Sequence, residues 1–84
     1  MKEKGDNYYH LKCETKVFQA IEKEFVKCVL QKNDQGFKEM DYIYLQEVFN
    51  GAETGRSIGP FRIEYIFEDV EGLYPGCCIL CWSR

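Results

Sequence analysis

The sequence predicts a single small α+β domain, with about three helices packed on a small antiparallel sheet formed by the chain ends. Three observations lead there. Residues 57–72 carry helix start and stop signals around an apolar stripe, residues 15–31 and 37–50 repeat apolar side chains at three- and four-residue steps, and residues 8–13 and 77–84 are short runs that suit strands.

Along the chain, MKEKGDN is charged and has nothing apolar after Met1, so residues 1–7 read as a mobile arm before a globular domain at 8–84. Tyr8–Cys13, YYHLKC, can alternate and reads as a strand. Thr15–Gln31 reads as a helix: Thr15 caps it, Val17, Phe18, Ile21, Phe25, Cys28 and Val29 form the buried stripe, and KNDQG ends it. Phe37–Asn50 reads as a second helix with Phe37, Met40, Tyr44 and Val48 on one edge, although YIYL from Tyr42 also suits a strand. GAETGRSIG, with three glycines in nine residues, reads as a loop.

Ser57–Gly72 is the stretch on which this reading turns. Ser57 can cap, Pro60 suits a first helical turn, Gly72 can close the helix, and Ile63, Ile66, Phe67 and Val70 fall on one side. A strand is the rival, since Phe61, Ile63, Tyr65 and Phe67 alternate with polar residues, but Ile66 breaks that alternation. If this stretch is a strand, it pairs with the C-terminal run as a hairpin. CCILCWSR reads as a terminal strand whose partner is Tyr8–Cys13.

Composition bounds function. A chain of 84 residues buries only about 60% of the surface its unfolded form exposes, which disfavours a deep enclosed active site. Hydrophobic residues at 45% supply a core, and with six tyrosines some must reach the surface, where Tyr is a favoured contact residue. The net charge of −3 is unevenly spread: the first 38 residues are lysine-rich, and the remainder holds eight acids against three arginines. That second half argues against a phosphate-binding groove and for a basic partner. No apolar run is long enough to cross a bilayer, and five cysteines without a secretion signal read as reduced thiols, so a cytoplasmic protein is expected.

Several constellations could carry chemistry. His10-x-x-Cys13 with Cys78-x-x-Cys81 has the ligand types and spacing of a structural zinc site, which makes a zinc-stabilised binding module one alternative. Residues three apart on a strand face opposite ways, however, so the terminal sheet and this metal site exclude each other. Cys78 and Cys81 lack a following helix to stabilise a reactive thiolate. His10 has no evident nucleophile to serve, and Gly51, Gly55 and Gly59 do not match a phosphate-binding pattern. A helix-turn-helix reading of 37–71 meets a connection that is too long and an acid-rich second element.

Glu47 and Glu53 flank the glycine-rich segment as candidate carboxylates. The phrase GRSIGPFRI, Gly55–Ile63, is locally similar to the turn after the catalytic glutamate in some lysozyme-like peptidoglycan hydrolases. The resemblance implies a second alternative, a remnant of such a hydrolase acting through Glu47 or Glu53. The chain departs from that family in presenting Phe49 where those enzymes carry an acid.

By elimination, the sequence points to a non-catalytic protein without a cofactor. It would bind a macromolecular partner, as an inhibitor or adaptor, through Glu64, Tyr65, Glu68, Asp69 and Glu71. The expected partner is a protein with a basic surface. Direct nucleic-acid or membrane binding is not expected, and a homodimer is a further possibility.

Overall fold

The computed structural model describes residues 7–83, and along 8–14, 42–49 and 77–81 buried side chains recur with the period of two that belongs to strands. The elements are β1 (Tyr8–Glu14), α1 (Thr15–Glu22), β2 (Cys28–Lys32), β3 (Tyr42–Phe49), β4 (Ala52–Arg62), β5 (Tyr65–Glu68) and β6 (Cys77–Cys81). They form two three-stranded sheets, ordered β1-β3-β4 and β2-β6-β5. β1 and β3 run parallel, with α1 in the connection between them and packed on both, and the other pairs are antiparallel.

The fold is mostly β, which overturns the expectation of three helices on a sheet made by the chain ends. The two terminal strands do exist, but they never meet: β1 lies at the edge of one sheet and β6 at the centre of the other. The arm expected for residues 1–7 falls outside the described residues except at Asn7, whose carbonyl accepts the Tyr42 N–H at 2.8 Å.

Half of the Thr15–Gln31 helix forms. Phe18 and Ile21, three apart, are buried beneath it, Glu14 takes the cap position without a side-chain bond, and Thr15 Oγ1 instead donates to the Val48 carbonyl. Glu24 then adopts φ 65° and the helix closes, with the N–H groups of Phe25 and Val26 both directed at the Ala20 carbonyl. No glycine marks that stop. Phe25, expected inside, is 79% exposed, while Cys28–Lys32 joins β6 as a strand.

The Phe37–Asn50 helix is instead a turn followed by β3, along which Ile43, Leu45 and Glu47 point inward. The expected glycine loop is most of a β-hairpin. Asn50 and Gly51, at φ 52° and 80°, make a tight two-residue turn of the kind whose twist suits paired strands. Gly59 is needed for a different reason: at φ 123°, a Cβ there would lie 2.8 Å from the Ile43 carbonyl oxygen and 3.2 Å from Tyr44 Cα, where the pairing register shifts.

The Ser57–Gly72 helix is also replaced, by the end of β4, a crossing, and β5. At the crossing the Ile63 N–H still bonds the Asp41 carbonyl beside β3, while the next N–H, of Glu64, bonds the Cys81 carbonyl of the second sheet. As the rival reading anticipated, β5 pairs with the C-terminal run. Between the sheets lie Leu11, Phe18, Ile21, Ile43, Leu45, Ile63, Cys78, Leu80 and Trp82. At about 1.5–3 kcal/mol per large apolar side chain, this core outweighs helix propensities that differ by less than about 1 kcal/mol per residue.

Candidate functional site

The second sheet has one inward and one outward face, set by the register. Val29, Leu80 and Ile66 form one inward row, and Gln31, Cys78 and Glu68 the next. Cys28, Cys81 and Tyr65 form the first outward row, and Leu30, Ile79 and Phe67 the second. Leu30 is 59% exposed, Tyr65 54% and Phe67 42%, with the two rings edge to face at 4.8 Å. Lys32 and Cys77 form the third outward row, so the face is apolar over two rows, with Leu30, Tyr65 and Phe67 exposed and Cys28, Ile79 and Cys81 half-buried.

Each of the predicted contact residues is exposed, though not on one helix face. Tyr65 stands on the outward face with Phe67. Glu64 lies at the crossing, Glu68 at the end of β5, and Asp69 and Glu71 in the turn beyond it. Glu68 belongs to the inward row and Glu64 shares its phase, so neither stands on the apolar face itself; with Asp69 and Glu71 they make the β5 edge of the sheet acidic. Sequence reasoning places Leu30 on the widened buried stripe of a 15–31 helix, which hides the alternation of CVLQK, and pairs the strand of Ile79 with Tyr8–Cys13, so neither residue is singled out for this face.

The hydrolase candidates separate. Glu53 is exposed and pairs with Lys12 at 3.0 Å. Glu47 is 5% exposed, accepts the Thr54 hydroxyl at 2.7 Å and lies 3.8 Å from Arg56 Nη1. Arg56 also pairs with Glu22 and rests over the Phe18 ring at 5.1 Å from its centroid. Glu47 is thus hydrogen-bonded and ion-paired into the wall of the core. Beside it, burial and then the Glu47 carboxylate push the Cys13 thiol up to about 11.

The four zinc candidates are not gathered. His10 faces outward on β1, stacked 4.9 Å from Tyr44, while Cys13 faces inward on the same strand. Cys78 is inward and Cys81 outward on β6, in the other sheet. Among the described residues no three metal-binding side chains cluster.

The outward face of the first sheet carries a second aromatic group. Tyr8 stacks on Tyr42 at 4.8 Å, and His10 on Tyr44. These rings cover one another and continue along β1 into polar Lys12. A cleft of about 340 Å³ lies beside Thr15 and Asn50 and another of about 160 Å³ between Ile21, Phe61 and Trp82, and neither gathers a catalytic set among the described residues. Among the described residues no helix is long and apolar enough to cross a membrane.

A protein-family model, DUF3850, described as a domain of unknown function, matches residues 8–82. Comparison with curated proteins finds no match.

Proposed function

The chain belongs to the DUF3850 family, and from that premise we propose that it is a cytoplasmic, non-catalytic protein acting as an inhibitor or adaptor. It binds a protein partner through the outward face of the second sheet. The observation that carries this reading is the exposed apolar group of Tyr65, Phe67 and Leu30 around half-buried Ile79, with Glu64, Glu68, Asp69 and Glu71 exposed along the adjoining β5 edge. Contiguous exposed apolar surface marks interaction sites, and aromatic side chains dominate binding energy where they become fully desolvated. The acidic border selects an occupant: a protein presenting an apolar patch rimmed by Lys and Arg.

The test begins with capture of a partner from the native cell, then purification of that partner and titration against variants. Tyr65→Ala should weaken binding by about tenfold or more. Glu64→Lys with Glu68→Lys should weaken it mainly by slowing association, and Tyr8→Ala, on the other sheet, should leave it unchanged. Loss of binding in Tyr8→Ala with Tyr65→Ala intact would move the contact to the first sheet. Dimerisation at micromolar concentration that Phe67→Ser abolishes would show a second copy to be the occupant.

A further inference from the structure

Five cysteines lie among the described residues, all as free thiols. Two of them, Cys28 on β2 and Cys81 on β6, are direct cross-strand partners on the outward face. The hydrogen-bond phase of the ladder fixes what kind of pair they are. The Trp82 N–H bonds the Lys27 carbonyl at 3.0 Å and the Asn33 N–H bonds the Gly76 carbonyl at 2.7 Å, so positions 27/82 and 33/76 are hydrogen-bonded pairs. Pairs alternate along an antiparallel ladder, which makes 28/81 a non-hydrogen-bonded pair. In such pairs the Cα atoms approach to about 4.5 Å, inside the range of about 4.4–6.8 Å that a disulfide spans. Both residues are partly exposed, unlike buried Cys13 and Cys78. Cys77 faces Lys32 instead of a second thiol.

We propose that Cys28 and Cys81 form a redox-active dithiol that a low-molecular-weight disulfide converts into a cross-strand disulfide joining β2 to β6. In the first step one thiolate attacks a sulfur of the small disulfide; a mixed disulfide forms and one small thiolate leaves. In the second step the neighbouring thiolate attacks the protein sulfur of the mixed disulfide, forming the Cys28–Cys81 bond and releasing the second small thiolate. The protein loses two electrons and two protons, and the small disulfide is reduced to two thiols. The strands already hold the sulfurs side by side, so closure requires no change of register. The other thiols have no such route: Cys13 and Cys78 are inside, and adjacent Cys77 and Cys78 would close only a strained ring.

The test treats the folded, reduced chain with oxidised glutathione. Thiols counted after the treated chain is unfolded in denaturant should fall from five to three, with peptide mapping linking Cys28 to Cys81. Cys28→Ser should halt at a glutathione adduct on Cys81, and Cys81→Ser at one on Cys28, whereas Cys77→Ser should close as the parent does. Thermal unfolding of the closed form should shift upward and return to the parent value on reduction. The parent measurement needs no variant to fold. Retention of five thiols, stable adducts on both Cys28 and Cys81, or a link between Cys77 and Cys78 would each overturn the proposal.

Discussion

Gly59 concentrates a structural demand in one missing carbon. Its φ of 123° is strained for any side chain, and the approach of the Ile43 carbonyl leaves a Cβ no room. Gly59→Ala should destabilise the fold by about 2–3 kcal/mol, measured by denaturant unfolding, while Gly55→Ala meets open space and should cost only the strain of its positive φ. Cys13 supplies a pH-dependent test. Its thiol ordinarily titrates near 9 and is raised to about 11 in the folded chain, so between those values the unfolded chain sheds the proton while the folded chain keeps it. Its contribution to stability is intact below about pH 9 and falls as pH rises to about 11, at up to about 1.4 kcal/mol per unit. Cys13→Ala should flatten that part of the stability profile relative to the parent, and in the parent Cys13 should resist alkylation until the chain unfolds.

The strands β5 and β6 separate stability from binding. Leu80 is fully buried and Phe67 is exposed, although both belong to the same three-stranded sheet. Leu80→Ala should cost about 2–5 kcal/mol, whereas Phe67→Ser should change stability by less than about 1 kcal/mol while weakening partner binding. Elements were legible where one periodicity stood alone: β1, β6 and the first half of the 15–31 helix could be read from their residues. The 57–72 stretch could not, because Ile63, Ile66, Phe67 and Val70 satisfy helical spacing by coincidence. Ile66, which breaks the alternation of Phe61, Ile63 and Tyr65, does so because the chain changes sheets at Glu64 and restarts its alternation there. A phase slip between two strands looks, in one dimension, like a turn of helix.

At the scale of the molecule, the proposed contact face is an assembly of three strands distant in sequence, and this is why only Tyr65 and its acidic neighbours could be chosen from the residues alone. Leu30 and Ile79 gain meaning from lying opposite each other in the register. If the acidic border steers association, raising ionic strength from about 0.05 to 0.5 M should slow the on-rate for the captured partner several-fold and leave the off-rate nearly unchanged, read by surface-immobilised kinetics. The sheet order β2-β6-β5 has one more consequence, for the chain as it is being made. The strand that both β2 and β5 require is translated after either of them, so Val29 and Ile66 must wait without a neighbour until Cys77–Cys81 clears the ribosome. During that interval the nascent chain carries two orphan edges, and its window for mispairing closes only with the arrival of its sixth strand.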